Sequence, residues 1–495
     1  MGVRRTALTS LASYGVPVLI GLVAMPIVFR ILGAPQFGVL SIALISPALA
    51  ASLDLGVTSA AVRRLAPELE RPTSTLGSTL GSYAVALFVV GAGLGIAVAA
   101  AAPLLNDWLG FGTVLGTQLG IDLIRLCALW MALSLAFALP GIVLRAKQRF
   151  AELTAVQTAS TLALWITAIA LAAAGSSLWS IVATAALITA ASAVACFVLA
   201  RHEVPGGTRL RVDAALVMED AHFSSGLFLV QLSNVVAFQL DRLIVAALAS
   251  PAAAGLDALC VGIANKTLFT VSALTSFAYP RVAAMRARGQ EAEIGSLLQA
   301  LLRVAVVVVA PSLLPALFLA GPFLALWLGA GAGEDAAALL QLLWIGYSIA
   351  AICAPATHVI TGTGTSRLAA TFAWVTATLL LTSMYLFVPR LGLLGAGVAN
   401  VIAMSSALVF LAIVRRTLAV PPDPSRGRLL AGLVAAFLVQ GTVLGLLRPY
   451  ATSWLTLLLA ASAGLAAYQT VRWALRTVTG EEQRLLNSLI TRFKR

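Results

Sequence analysis

The most regular feature of this sequence is a succession of long apolar runs separated by short polar or glycine-containing turns. The stretch 153–200 shows the pattern most clearly, because it contains no Asp, Glu, Lys or Arg. A helix needs about 20 apolar residues to cross the hydrocarbon core of a bilayer, so this stretch predicts two spans that turn at 174–177. The whole pattern predicts an all-α polytopic membrane protein with about fourteen transmembrane helices, at 8–31, 38–62, 76–102, 119–144, 152–174, 178–200, 223–250, 254–280, 296–320, 336–360, 368–388, 393–414, 429–447 and 452–472.

The composition supports a membrane protein, because 60% of the residues are hydrophobic and 10% are charged, whereas soluble domains are about 25% charged. The charges also orient the spans. With the N-terminus inside, most of the 32 Lys and Arg residues fall on the cytoplasmic face, in agreement with the positive-inside rule. Topology therefore explains the net charge of +13 without nucleic-acid binding, and both chain ends are predicted to be cytoplasmic.

The chain contains an internal repeat with an offset of 218 residues. Arg63 and Arg281 close corresponding spans, and Arg149 and Arg367 precede corresponding spans, each pair at this spacing. With six spans per repeat, both copies enter the membrane in the same direction, so we predict two six-helix lobes related by a pseudo-twofold axis along the membrane normal, around a central cavity. The predicted parts are an N-lobe at 1–210, a C-lobe at 211–428, two extra helices at 429–473 and an amphipathic cytoplasmic tail at 474–495.

The segments outside the predicted spans are short. The loop 201–222 has the mixed charge of an amphipathic or irregular linker, and Thr479 and Glu482 have the capping-box spacing that begins a tail helix. The four cysteines lie singly in apolar runs, which predicts packing residues and no metal site. The longest outer loops, 103–118 and 321–335, contain no histidine. This pattern is typical of a transporter and argues against an enzyme.

Several charged residues fall inside the predicted spans, where each needs a partner, a cavity or access to the interface. Asp122 and Arg125 are three residues apart, so they form either a structural ion pair or part of a substrate site. Arg303 is about seven residues from the inner end of its span, which fits snorkelling as well as a cavity role. Arg30 and Asp54 lie at different predicted depths, which argues against a pair between them.

Asp241 and Arg242 interrupt the apolar stretch VVAFQLDRLIVAAL at 235–248. They differ by about 100° around a helix, so each needs a partner elsewhere. Lys266 lies about twelve residues into its span, near the midplane, and is the residue best placed to contact a cargo. The intramembrane cations outnumber the acids, which suits an anionic cargo, whereas an exporter of cationic drugs needs the opposite balance.

Two stretches carry a family resemblance. MPIVFRILGAPQFGVLSIALISPALAASLDLGVTSAAVRRLA at 25–66 resembles the first hairpin of Wzx-like oligosaccharide flippases, and QLDRLIVAALASPAAAGLDALCVGIANKTLFTVSALTSFAYPRVAAM at 239–285 resembles their seventh and eighth helices. These proteins form the polysaccharide transport family of the multidrug/oligosaccharidyl-lipid/polysaccharide superfamily. Arg30, Asp54 and Asp241 match family positions by local motif.

The resemblance implies a flippase that moves undecaprenyl-diphosphate-linked oligosaccharide from the inner to the outer leaflet of the bacterial cytoplasmic membrane, for polysaccharide biosynthesis. The predicted substrate cavity contains Arg30, Arg125, Arg242 and Lys266. The candidates for ion coupling are Asp54 and Asp241, while Asp122 and Arg303 are structural or line the cavity. No cofactor or metal is predicted, and H⁺, Na⁺ or the membrane potential is the candidate driving force.

The expected partners are the lipid-linked oligosaccharide and membrane lipids, with a polysaccharide polymerase and glycosyltransferases as candidates, for a monomeric protein. Three alternatives stay open. A lipid II flippase of the same fold differs in cargo. A cation-coupled multidrug exporter is disfavoured by the basic cavity and by the fourteen spans. An integral-membrane polymerase or glycosyltransferase is disfavoured by the small outer loops.

Overall fold

A computed structural model describes residues 2–71, 75–206, 208–220, 228, 232–233, 235, 239–329, 333–420 and 426–475, although not the side chains of 2–19, 292, 333, 366 and 426. Within these ranges the regular structure is helical, without strands. Twelve helical segments in them are long and apolar enough to cross a membrane. The predicted all-α membrane fold is confirmed, the count of fourteen spans stays a prediction, and the predicted tail helix lies outside the described residues.

The first two predicted spans are joined by a backbone break. The helical stretch Gly2–Ala43 (α1) contains Gly33 at φ 75°, ψ 165°, outside the helical region. Glycine adopts a positive φ at little cost because it has no Cβ. The segment Ile20–Ser52 counts as one of the twelve, so the predicted spans 8–31 and 38–62 overlap it on either side of this break.

The predicted span 223–250 lies mostly outside the described residues, but its end is visible and differs from the continuous helix that the sequence predicts. The backbone N–H of Leu240 donates to the carbonyl oxygen of Val235 at 3.1 Å, and a new helix begins at Asp241. A bond of this kind, across five residues, terminates a helical turn. An aspartate is also favourable in the first turn of the helix that follows.

The chain forms two compact units, Met1–Ala258 and Leu259–Arg495. The predicted lobe boundaries at 210 and 428 stay a prediction. The remaining helices of the first unit are α2 (Ser46–Ser52), α3 (Val57–Glu70), α4 (Leu76–Ala100), α5 (Ala102–Leu109), α6 (Phe111–Leu115), α7 (Thr117–Ala136), α8 (Leu139–Ala146), α9 (Phe150–Ala173), α10 (Leu178–Ala200), α11 (Asp241–Leu248) and the start of α12 (Pro251–Thr275).

The second unit continues α12 and adds seven helices in the described ranges. They are α13 (Ala278–Ala287), α14 (Glu291–Leu328), α15 (Gly333–Gly362), α16 (Ser366–Leu391), α17 (Leu393–Thr417), α18 (Arg426–Leu447) and α19 (Trp454–Ala474). A single 3₁₀ turn at Arg448–Tyr450 separates the last two.

The hydrophobic cores of the two units lie at corresponding positions of the repeat. Ala60 and Leu80 belong to a buried cluster of the first unit, and Ala278 and Leu298 belong to a buried cluster of the second. Each residue of the second cluster stands 218 positions after its counterpart. The same spacing relates Leu76 to Ile294, Tyr83 to Leu301, Ile142 to Ile360 and Cys196 to Val414. The sequence offset is therefore also an offset of buried positions.

The linker after α10 is held against the N-terminal end of α4. The backbone N–H of Arg211 donates to the carbonyl oxygen of Gly77 at 3.2 Å, and that of Asp213 donates to the hydroxyl of Ser82 at 2.8 Å. A Cβ on Gly81 would lie 2.1 Å from the carbonyl oxygen of Arg211. The linker backbone therefore requires a glycine face on α4, and a helical segment at 214–220 follows it.

In the second unit, a glutamine outside the repeat supports a proline-containing helix. Helix α14 contains Pro311, Pro315 and Pro322. Because Pro315 has no N–H, the carbonyl oxygen of Pro311 loses its usual helical donor. The amide of Gln440 on α18 donates to this oxygen at 2.9 Å, and Gln440 is fully buried. Helix α18 thus compensates for a backbone bond that α14 cannot make.

Candidate functional site

A buried charged cluster lies at the break before α11. Asp241 is 6% exposed, and one of its carboxylate oxygens accepts a hydrogen bond from the backbone N–H of Arg242 at 2.9 Å. The Arg242 side chain is half-buried, and its Nε has no hydrogen-bond partner among the described residues. A buried charge without full pairing is costly, so this cluster is an unusual feature of the first unit.

Asp257, on the following helix, completes the cluster. It is 1% exposed and interacts electrostatically with both Asp241 and Arg242. Its Oδ2 has no hydrogen-bond partner in the described part of the chain. Sequence reasoning missed Asp257 because it stands close to the predicted outer end of its span, where an acidic residue is ordinary. Its position one hairpin turn after the Asp241–Arg242 pair is the signal that points to it.

The break is lined by a further polar residue, Gln239. Its amide nitrogen lies 3.5 Å from the hydroxyl of Ser52, at the end of α2, and its Oε1 has no partner among the described residues. An interrupted membrane helix is tolerated where polar groups or other protein partners surround the break. Interrupted helices are also where transporters of repeated architecture place their ligand sites.

Asp54 has a clear structural contact. Its two carboxylate oxygens accept hydrogen bonds from the backbone N–H groups of Gly56 at 2.8 Å and Thr58 at 2.9 Å. These donors stand at the start of α3, where the first turn of a helix leaves N–H groups without partners. Asp54 is 4% exposed. It therefore caps α3, in the manner of an N-terminal aspartate.

A cavity of about 510 Å³ lies within the first unit, between α2, α3 and helices α7 to α10. Asp54 lines it, together with the hydroxyls of Thr58 and Thr189. Trp130 also lines it, is 2% exposed, and has no hydrogen-bond partner for its Nε1 within the described residues. Arg145, an exposed residue, contributes a cation. The volume lies within the usual range for ligand sites, and the mixed lining suits an amphipathic molecule.

The predicted pair of Asp122 and Arg125 is present. Arg125 Nη1 lies 3.5 Å from Asp122 Oδ1, and both side chains are exposed. Gln118, one turn earlier, donates to the same carboxylate at 3.2 Å. Arg125 is therefore paired with an acidic residue of its own helix.

The structure places the remaining predicted residues on other helices. Arg30, on α1, is exposed. Lys266 belongs to the second unit, is exposed, and lies 5.9 Å from the ring centroid of Phe269 in a cation–π arrangement. Arg303, on α14 of the second unit, is half-buried. The cavity of the first unit contains only Asp54 from the predicted set among its lining residues.

A second charged cluster fixes the segment 214–220 at the predicted inner side of the first unit. Asp220 is 4% exposed and accepts from Tyr83 at 2.5 Å, from Arg63 at 2.5 Å and from Arg64 at 3.2 Å. Burial alone raises the pKa of Asp220, but the hydrogen bonds from Tyr83, Arg64 and Arg63 outweigh it and hold the pKa below its ordinary value. The sequence places Asp220 in a linker and gives no sign of this cluster.

The fold is similar to that of several solved membrane transporters. The structure of the lipid II flippase MurJ in an inward closed conformation is similar, with a TM-score of 0.74 and 13% identity, over 94% of this chain and 99% of that one. An inward-facing multidrug resistance MATE family transporter gives a TM-score of 0.67 and 13% identity, over 83% of this chain and 98% of that one.

The structure of a MOP superfamily transporter from Pyrococcus furiosus, for which a reverse polarity of the binding pocket is described, is also similar. It gives a TM-score of 0.51 and 15% identity, over 83% of this chain and 94% of that one. A comparison with curated proteins gave no match. The chain belongs to the polysaccharide biosynthesis protein family, whose model matches residues 27–331. This membership and the fold confirm the resemblance to Wzx-like flippases.

Proposed function

We propose that this protein moves undecaprenyl-diphosphate-linked oligosaccharide from the inner to the outer leaflet of the bacterial cytoplasmic membrane. The observation that carries the proposal is membership of the polysaccharide biosynthesis protein family in a chain with the fold of lipid and drug transporters. The diphosphate and the sugars cannot cross hydrocarbon unaided, because each unpaired polar group there costs several kcal/mol. A cavity that binds the head group while the polyprenyl tail stays in lipid removes this cost.

Lys266 is the cation that the proposal assigns to the diphosphate. It is exposed, and the ion pairs among the described residues do not include it. A compact ammonium group binds phosphate as a point charge. Arg30, also exposed on a membrane helix, is a second candidate. Arg242 is a weaker one, because two buried carboxyl groups already interact with it.

The repeat strengthens this assignment. At the offset of 218 residues, Ala48 corresponds to Lys266, and Leu248 corresponds to Arg30. A charge that only stabilises the lobe fold is useful in both copies. A charge present in one copy alone is better explained by a single ligand that both lobes share.

In the proposed cycle, binding of the diphosphate stabilises the conformation that encloses it, and rocking of the two lobes then exposes the head group on the outer side. H⁺, Na⁺ or the membrane potential drives the return. In this proposal both chain termini face the cytoplasm. Lipid II, the cargo named for the flippase of similar fold, is the alternative cargo.

The test is a flipping assay with the full-length chain in liposomes that contain a fluorescent undecaprenyl-diphosphate oligosaccharide and an external, membrane-impermeant quencher. We expect the protein to increase the quenched fraction. Lys266→Gln should lower the rate roughly 10- to 100-fold, the equivalent of one charge-assisted hydrogen bond of about 1.5–3 kcal/mol, and Lys266→Arg should retain part of the rate. Arg288→Gln, at an exposed inner position, is the matched control.

Three results separate the alternatives. Flipping of lipid II but not of the oligosaccharide lipid would replace the proposed cargo by the alternative one. Equal rates for Lys266→Gln and Arg288→Gln would remove Lys266 from the cargo site. In cells, deletion should leave lipid-linked oligosaccharide made but retained on the inner leaflet, whereas loss of the precursor itself would indicate an enzyme.

A further inference from the structure

The charges around the break before α11 do not balance. Asp241 is 6% exposed and Asp257 is 1% exposed, and the charged group that both interact with is Arg242. Two ionised carboxylates and one guanidinium would leave a net negative charge in the protein interior. Such a charge costs far more than a protonated carboxyl group, so a buried site of this kind takes up a proton.

The neighbouring helices do not correct the balance. Helices α1 and α5 pack against α11, and their described ionisable side chains, Arg30 and Asp107, are both exposed. Oδ2 of Asp257 is buried and has no hydrogen-bond partner among the described residues, as is also true of Arg242 Nε. A carboxylate that stays ionised in a buried site is normally surrounded by donors, as Asp220 is in this chain.

The cluster also belongs to one copy of the repeat alone. At the offset of 218 residues, Val23 corresponds to Asp241, Ala24 to Arg242 and Val39 to Asp257. The first copy thus builds the corresponding hairpin with apolar residues. Because the fold does not need these charges, a task other than packing is required to account for them.

We propose that Asp241 and Asp257 share one exchangeable proton beside Arg242, which pairs with the carboxylate that remains. The two carboxyl groups then titrate as a coupled pair. The site would be a proton-binding site at an interrupted helix, on the hairpin α11–α12. Its use in driving transport rests on the proposed function, whereas the presence of the proton does not.

The direct test is infrared difference spectroscopy of the full-length protein in liposomes, which detects the carbonyl stretch of a protonated carboxylic acid. We expect a protonated-acid band near neutral pH that disappears at alkaline pH. It should also disappear in both Asp241→Asn and Asp257→Asn, since each leaves one carboxylate to pair with Arg242. Asp107→Asn, which removes an exposed carboxylate, should leave the band unchanged.

The variant Arg242→Gln gives an independent test with the same infrared measurement. Without the guanidinium, both carboxyl groups need a proton, so the band should become about twice as strong. No band in the wild type, or a band lost in only one of the two aspartate variants, would overturn the shared proton. If the band behaves as expected but flipping of the oligosaccharide lipid does not respond to a pH gradient, the proton site stands and its link to the proposed function fails.

Discussion

At the scale of single residues, the contacts of Asp54 decide between two roles. The family motif makes it a candidate for ion coupling, but its two oxygens accept from the backbone at the start of α3. We expect Asp54→Ala to destabilise the protein by about 1 kcal/mol, the usual cost of a lost N-cap. Asp54→Asn keeps one of the two acceptor oxygens and should be destabilised less than Asp54→Ala. Thermal unfolding of the purified variants measures both.

The same two variants test the coupling role. If Asp54 carries a transported ion, Asp54→Asn should abolish flipping while the melting temperature is unchanged. A cap should instead give an Asn variant that still transports and an Ala variant with a lower melting temperature.

The cluster around Asp220 predicts how stability depends on pH. Its pKa in the folded protein lies below the ordinary value of about 4, so its contribution to stability is complete above about pH 4 and is lost as the pH falls through the folded value. We expect Asp220→Asn to be less stable at neutral pH, and the difference from the wild type to shrink in acid. Glu219→Gln, at an exposed carboxylate, should change little.

Melting temperatures of detergent-solubilised protein between about pH 7 and pH 3 give this comparison. Tyr83→Phe should reproduce part of the loss at neutral pH, since one hydrogen bond to a charged group contributes about 1.5–3 kcal/mol. A constant difference between wild type and Asp220→Asn at all pH values would contradict the ionised cluster.

At the scale of helices and linkers, the glycines of α4 have different tasks. A Cβ on Gly81 would lie 2.1 Å from the carbonyl oxygen of Arg211, whereas one on Gly93, on the same helix, meets nothing within 4 Å. We expect Gly81→Ala to push the linker away and to cost about 1–3 kcal/mol, as overpacking does. Gly93→Ala should be neutral or slightly stabilising, because glycine weakens a helix.

Trypsin supplies the readout, since Arg209 and Arg211 are exposed residues of the linker. Cleavage at these positions in solubilised protein should be faster in Gly81→Ala than in the wild type, and unchanged in Gly93→Ala. Equal cleavage in the two variants would mean that the linker is not held by the glycine face.

These examples show what the sequence can and cannot predict. The apolar runs predict the helices well, because the bilayer requires about 20 apolar residues per span. The pair of Asp122 and Arg125 is also predictable, since a spacing of three is local. Periodicity does not show which backbone groups Asp54 and Gln440 bind. It also does not show the helix break at which Asp241 and Asp257 come together. The hydrophobicity of a stretch of about 20 residues is the same whether or not the helix is interrupted within it.

At the scale of the whole molecule, the repeat and the charge distribution predict the same membrane topology. Helices with corresponding buried positions at an offset of 218 residues should enter the membrane in the same direction, since six spans separate them. Glu70 and Arg288 are an exposed pair at this offset. Both are predicted to face the cytoplasm, whereas Ala174 and Thr452, also exposed, are predicted to face outwards.

Single cysteines at these four positions test the claim in intact cells with a membrane-impermeant thiol reagent. All four native cysteines are buried, so their replacement by alanine should provide a silent background. We expect the reagent to label Ala174→Cys and Thr452→Cys from outside, and Glu70→Cys and Arg288→Cys only after the membrane is opened. Labelling of Glu70→Cys and Arg288→Cys from opposite sides would make the repeats inverted. The symmetry axis would then lie in the membrane plane, and the predicted pair of parallel lobes would be wrong.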